Sequence, residues 1–173
     1  MRHLASFASG LAIFAAIFVT CGAPISPAFA QQQFAPGNSL VNESAYAIGR
    51  ERWSDAASLA KKALLSGDLT IENIPPAYSN LCVALTGERK FPEAMNACNR
   101  AVDLRPRQWS YYNNRANIHF YQGNFDRALA EYYKAMAFSS GGRVLMHNIG
   151  VALEYRKNRG RRVNSPKDSE RSS

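Results

Sequence analysis

The sequence is poor in the residues from which most catalytic and metal sites are built. Only three histidines and three cysteines occur among its 173 residues, and none of them has the spacing of a C-x-x-C redox pair or of a zinc site. The chain also lacks a glycine-rich phosphate-binding loop and a serine in a nucleophile elbow. These absences exclude the common enzyme classes, so we expect a protein that is not an enzyme and uses no cofactor or metal.

The middle of the chain has little net charge, although the formal net charge of the whole is +8. Residues 156–173 hold seven Lys or Arg against two acidic residues. Residues 31–155 are nearly neutral, with thirteen basic against eleven acidic residues. A basic face for nucleic acid is therefore not expected on the folded part, and no nucleic-acid partner is predicted.

An uncharged run rich in Ala, Phe and Ile occurs near the amino end, over Leu4–Thr20. It follows a short basic start, and Ala28–Ala30 supplies a small-x-small cleavage pattern before Gln31. This arrangement predicts a signal peptide over residues 1–30, cut after Ala30, and an exported protein of the bacterial periplasm. The alternative is an uncleaved membrane anchor, which requires a somewhat longer apolar stretch than this one.

Strand-like alternation is absent from the remainder, where apolar residues recur at helical spacing after a Gln-rich leader over residues 31–38. The seven predicted helices are Ser39–Arg50, Ser54–Leu65, Pro76–Thr86, Pro92–Leu104, Ser110–Tyr121, Asp126–Phe138 and Arg143–Arg156. Residues 157–173 form a basic tail that is expected to be disordered. The tail is either a solvated end or a weak contact for an anionic surface.

The chain matches itself at a spacing of 34 residues. Sliding residues 75–108 onto 109–142 superimposes Tyr78 on Tyr112, Asn80 on Asn114, Phe91 on Phe125, Ala94 on Ala128 and Ala101 on Ala135. A less regular copy, which includes Trp53 and Ala56, comes before them, and a half-copy from Met146 to Leu153 follows. A fixed period of this length is typical of a solenoid, in which each helix pair buries its apolar face against its neighbours.

The positions of the large and small residues resemble those of the tetratricopeptide repeat family over residues 39–155. The resemblance implies an all-α, right-handed helical-repeat solenoid of about three helix pairs over residues 39–156. Residues Arg143–Arg156 would form a capping helix over the last pair. Cys82, Ala116 and Gly150 would lie where the two helices of a pair approach closest, with Ala94 and Ala128 facing them.

The resemblance also implies a concave groove that holds another protein or an extended peptide segment, as in an adaptor or scaffold of the bacterial envelope. Two alternatives remain, a structural component that assembles with itself and a protein tethered to an anionic surface by its tail. The first helix of each pair would line the groove. The expected groove residues are Asn80, Val83, Asn113, Asn114, Asn117, Phe120, Tyr121, His147, Asn148 and Tyr155.

Asparagines recur at 80, 114 and 148, at intervals of 34 residues. An amide offers donors and an acceptor together, so a row of them could bind the backbone of an extended peptide. Alternatively, these asparagines are polar residues on a solvated helix face, or they form bonds within their own helix. The groove positions carry no Lys or Arg, so the clamp for a free carboxylate used by some members of the family is not expected.

Cys82 and Cys98 lie on the predicted inward faces of two helices of one repeat. In an oxidising compartment an even pair of cysteines can form a disulfide. Buried cysteines also serve as small hydrophobic residues. Only the backbone geometry decides between these possibilities.

Overall fold

The computed structural model describes residues 38–139 and 142–163. Within these residues the chain forms helices and no strand, which confirms the all-α prediction. The seven helices are α1 (Ser39–Gly49), α2 (Trp53–Leu65), α3 (Ile74–Gly87), α4 (Phe91–Leu104), α5 (Trp109–Tyr121), α6 (Phe125–Ala137) and α7 (Arg143–Val163). The predicted signal peptide and most of the leader lie outside the described residues.

Consecutive helices form three pairs, namely α1 with α2, α3 with α4 and α5 with α6. The last helix, α7, packs against α6. Each pair also contacts the next one, since α2 packs on α3 and α4 packs on α5. The first helices lie beside one another, with α3 in contact with both α1 and α5. This arrangement is the helical-repeat solenoid that the 34-residue period predicts.

Local signals explain the starts of three helices. The Asn38 side chain caps α1 by accepting a hydrogen bond of 3.0 Å from the backbone N–H of Val41. Prolines occupy the first turns of α3 and α4, where their missing N–H has no helical acceptor to lose. The prediction for the end of α7 was wrong, because the helix continues seven residues beyond Arg156 to Val163. No proline occurs in that stretch before Pro166, and Arg and Lys are good helix formers.

Small residues form the contacts between paired helices. Ala94 and Ala128 are fully buried, as are Cys82 and Ala116 opposite them. A larger side chain at these points would separate the helices, because protein interiors are close-packed. The same expectation for Gly150 was wrong, since this residue of α7 is exposed and no second helix packs over it among the described residues.

The turns inside the three pairs share one geometry. In each, the residue after the turn donates its backbone N–H to a carbonyl of the preceding helix, with Lys90 to Leu85 at 2.9 Å as an example. The middle residue has a left-handed backbone, with φ values of 58° at Glu51, 60° at Arg89 and 74° at Gly123. Glycine adopts this conformation freely, whereas Glu and Arg do so at a cost of about 1 kcal/mol.

A disulfide joins Cys82 of α3 to Cys98 of α4. Their Cα atoms are 5.1 Å apart, a separation that disulfides normally span. Both residues are buried, so the bond crosslinks the two helices inside the core of the central pair. The structure therefore resolves the question that the sequence left open in favour of the disulfide.

Loss of this disulfide should destabilise the protein. Converting both Cys82 and Cys98 to Ala should lower the free energy of unfolding by about 3 kcal/mol, because the bond closes a short loop and restricts the unfolded chain. Urea unfolding of the oxidised, reduced and double-variant proteins measures the effect. Reductant should leave the double variant unchanged, and identical unfolding midpoints for the oxidised and reduced wild-type chain would contradict the prediction.

Candidate binding groove

An open cavity of about 230 Å³ lies along the edge of the solenoid where α3 and α5 run side by side. We call it the groove. It begins at the turn between α1 and α2, crosses the end of α3 and reaches the end of α5. Its lining residues are Glu51, Trp53, Val83, Thr86, Gly87, Arg89, Asn114, Asn117 and Tyr121.

Helical spacing places the α3 and α5 residues on the groove. Val83, Thr86 and Gly87 are three and four residues apart, so they share one face of α3. Asn114, Asn117 and Tyr121 follow the same spacing on α5.

Gly87 allows the indole of Trp53 to reach this face. A Cβ atom added at Gly87 would lie under 3.0 Å from ring atoms of Trp53. The absence of a side chain at Gly87 therefore permits the aromatic wall of the groove.

Two charged residues stand at the rim in an unusual backbone conformation. Glu51 and Arg89 are the left-handed residues of the first two turns, and both line the groove. The third turn has glycine at this position, and Gly123 lies away from the groove. Non-glycine residues held in this conformation concentrate at functional sites. The side chains at the first two turns are therefore candidates for partner contact.

Tyr121 is a titratable residue that lines the groove. Burial raises the pKa of its phenol, the positive charge of Arg89 opposes that shift, and the carboxylate of Glu51 adds to it. The phenol therefore stays protonated at neutral pH and can donate a hydrogen bond. The groove combines an aromatic wall, an aliphatic floor at Val83 and one charge of each sign at its rim.

The structure places four of the ten sequence-predicted residues on the groove, namely Val83, Asn114, Asn117 and Tyr121. The turns were not predicted to line the groove, and Trp53 was expected only as part of the first repeat copy. The available signal was the alignment of positions 51, 89 and 123, each one residue after a cap. That alignment shows two charged residues where the third turn has glycine.

The asparagine row does not present free amides to a partner, which corrects the peptide-binding interpretation. The side chains of Asn80, Asn114 and Asn148 are 0%, 2% and 0% exposed. Each Nδ2 donates to the first helix of the preceding pair. The bonds are Asn80 to the carbonyl oxygen of Val41 at 3.0 Å, Asn114 to Ser79 Oγ at 3.1 Å and Asn148 to Asn113 Oδ1 at 2.8 Å.

These bonds also correct the alternative of a solvated face or an intrahelical bond. The first helices lie so close together that an amide on their shared flank is shielded from water and must find a partner in the neighbouring repeat. Asn117 has a related role, because its Oδ1 accepts a hydrogen bond of 2.6 Å from the hydroxyl of Tyr132. We call the three bonds between first helices the asparagine ladder.

The remaining predicted residues lie elsewhere. Phe120 is buried in an aromatic cluster, with ring centroids 5.5 Å from Phe125 and 5.3 Å from Tyr155. This cluster holds α5, α6 and α7 together, so Phe120 and Tyr155 serve packing. His147 is exposed on α7 and does not line the groove.

Within the described residues, no group of three or more His, Cys, Asp or Glu side chains could hold a metal ion. The same residues contain no helix whose length and apolar character would let it cross a bilayer.

Comparison with known proteins identifies the fold. The chain is similar to the solved structure of the Sgt2 TPR domain from Aspergillus fumigatus, with a TM-score of 0.61 and 18% identity over 73% of this chain and 83% of that one. TPR denotes the tetratricopeptide repeat, so the protein has a TPR-like helical-repeat fold. No protein-family model matches the chain.

Two curated proteins of Dictyostelium discoideum are similar in sequence. The DnaJ homolog subfamily C member 7 homolog is 27% identical over 117 residues, which cover 67% of this chain. The DnaJ homolog subfamily C member 3 homolog is 29% identical over 88 residues, or 51% of this chain. The matches span 20% and 18% of those proteins.

The asparagine ladder should contribute to the stability of the fold. Replacing Asn114 by Ala should lower the free energy of unfolding by about 1–3 kcal/mol, because Ser79 loses a buried partner and the amide leaves a gap. Asn96, which is exposed on α4, offers the control, and its replacement by Ala should have little effect. Urea unfolding followed by circular dichroism compares the two, and equal midpoints would contradict a structural role.

Proposed function

We propose that this protein is a non-enzymatic adaptor that binds a segment of another protein in the groove between α3 and α5. The observation that carries the proposal is the open cavity itself, which is lined by an indole ring, by faces of α3 and α5 and by two charged turn residues. The TPR-like fold supports it, because solenoids of stacked helix pairs present extended binding surfaces.

The groove favours a peptide that combines an apolar side chain with charged or polar neighbours. Trp53 and Val83 provide an apolar surface, and buried aromatic contacts often dominate binding energy. Glu51 and Arg89 form no ion pair with a described residue, although the Arg89 guanidinium lies 5.3 Å from the ring centre of Phe91. A partner segment could pair with both charges without displacing an existing salt bridge.

We further propose that the protein is exported to the bacterial envelope. The predicted signal peptide supports export, and so does the disulfide between Cys82 and Cys98. Disulfides persist in oxidising compartments and are rare in the reducing cytosol. Both features are consistent with an adaptor that works in the periplasm.

Groove binding can be tested by capture of partners from a bacterial envelope extract. Replacing Tyr121 by Ala or Arg89 by Glu should reduce capture of the bound proteins by about tenfold or more, because rim and wall contacts are lost. Replacing the exposed Arg107 by Glu makes the same charge change away from the groove and should leave capture unchanged. Equal losses in all three variants, or none, would contradict binding in the groove.

Export can be tested separately by expression of the full chain in a bacterium and fractionation of the cells. The protein should appear in the periplasmic fraction, should begin at Gln31 and should show no free thiol at Cys82 or Cys98. Amino-terminal sequencing and thiol labelling measure these properties. A chain that keeps residues 1–30 or carries reduced cysteines would contradict the proposal.

A further inference from the structure

Helix α7 presents an apolar stripe to solvent. Met146 is 67% exposed and Leu153 is 36% exposed, and Gly150 lies between them on the same face. A Cβ atom added at Gly150 would meet nothing within 4 Å. An adjacent face of α7 is packed, with Leu145 and Ala152 buried in the core. We call Met146, Gly150 and Leu153 the α7 stripe.

The stripe corresponds in the repeat to positions that are covered in the earlier pairs. Shifting by 34 residues places Met146 on Tyr112, which is buried against α6. The same shift places Gly150 on Ala116, which is fully buried. In α3 the equivalents Cys82 and Leu85 are also buried, beside α4. Among the described residues, α7 is therefore the first helix of a pair whose second helix is missing.

The second helices of this chain show what kind of element fills such a place. Both α4 and α6 begin with phenylalanine, followed by alanines three and ten residues later, at 94 and 101 and at 128 and 135. An occupant of the stripe should likewise be an amphipathic helix with a small residue where it crosses Gly150. Gly150 permits a close approach, because nothing projects from α7 at the crossing point.

Charge on α7 defines the occupant further. Arg143 and Lys157 lie on the face of the stripe, one at each end, since positions 143, 146, 150, 153 and 157 recur every three or four residues. Neither forms an ion pair with a described residue, whereas Arg156 of the neighbouring face pairs with Asp126 at 3.2 Å. Glu154 is the single acidic residue of the helix sequence. The stripe is therefore an apolar surface between two cations.

This pattern disfavours two occupants from the chain itself. If a second copy packed through the same stripe with the two helices antiparallel, Arg143 of one copy would lie against Lys157 of the other. With the helices parallel, Arg143 would lie against Arg143 and Lys157 against Lys157. Like charges at an interface oppose association. Residues 164–173, which follow α7 in the sequence, contain no aliphatic or aromatic side chain and cannot cover an apolar stripe.

We propose that the α7 stripe docks an acidic amphipathic helix of another protein, which completes a fourth helix pair. The helix places a small residue against Gly150, apolar residues against Met146 and Leu153, and carboxylates near Arg143 and Lys157. This mode lays an apolar helix face on an apolar surface. The stripe is separate from the groove, because no residue of α7 lines the groove.

Synthetic helices that carry the α6 sequence with altered charges test the proposal directly. The acidic probe is the segment of residues 124–137 with Glu in place of Arg127 and Lys134, held helical by an i,i+4 crosslink on its outer face. The matched basic probe has Lys in place of Asp126 and Glu131. Titration into the purified, isotope-labelled protein, followed by NMR, should show the acidic probe shifting the amide signals of Gly150 and Leu153. The basic probe should bind at least about tenfold more weakly, and the difference between the two affinities should shrink at high salt.

Matched variants locate the contact. Replacing Gly150 by Leu should abolish binding of the acidic probe without harming the free protein, because the added side chain meets only solvent and Leu favours helix more than Gly. A second variant, in which Glu replaces both Met146 and Leu153, should also abolish binding of the acidic probe. The control places Glu at Leu65 and Ile71, which are 86% and 75% exposed at the other end of the solenoid, and should bind normally.

Each contrary result overturns the proposal in a different way. Equal affinity for both probes would contradict the acidic character of the partner helix. If the crosslinked acidic probe does not bind at all, the stripe is not a docking site for a helix. A dimer that the Met146 and Leu153 variant converts to a monomer assigns the stripe to a second copy. If the stripe becomes accessible to the probe only when residues 1–37 are removed, the occupant of the stripe is a segment of this chain. None of these results bears on partner capture by the groove, so the two proposals can fail separately.

Discussion

The asparagine ladder is the interaction on which the arrangement of the first helices depends. At each step one buried amide of α3, α5 or α7 donates to the first helix of the preceding pair. A buried amide without a partner is costly, so the bond favours one relative placement of neighbouring helices over others. Apolar contacts alone would tolerate sliding, because they are not directional. The ladder thus supplies a register that the alanine contacts between paired helices do not.

The groove follows from this register. With α3 and α5 held side by side, the last turns of both helices and the charged turn at Arg89 meet around Trp53. The close contact between this indole and Gly87 sets one wall, and the ends of the two first helices set the floor. The left-handed residues Glu51 and Arg89 then stand at the rim. A cavity of this kind is a property of neighbouring repeats and belongs to no single helix pair.

The central pair differs from its neighbours in having a covalent crosslink. Cys82 occupies the place that Ala116 takes in the following pair, and both are fully buried. The disulfide therefore lies at a helix contact that a small residue occupies in the following pair. It strengthens the pair that contributes Val83, Thr86 and Gly87 to the groove. At the far end α7 has no such support, and its outer face remains open among the described residues.

Periodicity in the sequence determined the class of fold, the number of helices among the described residues and most of their bounds to within two residues. These features depend on local propensity and on the 34-residue repeat of large and small residues, both of which are visible in one dimension. Burial of Ala94 and Ala128 could be predicted for the same reason. Four groove residues could also be predicted, because the resemblance to tetratricopeptide repeats assigns the groove to the first helix of each pair.

Only the tertiary structure decided the role of the asparagines, the pairing of Cys82 with Cys98 and the place of Trp53. Whether an amide faces water or a neighbouring helix depends on the distance between two helices, which no periodicity encodes. A disulfide requires two backbones at the correct separation, and Trp53 reaches the groove only because Gly87 leaves space for its ring. The open face of α7 is equally a matter of what packs against it. Distances between separate elements, rather than residue patterns within them, determine these features.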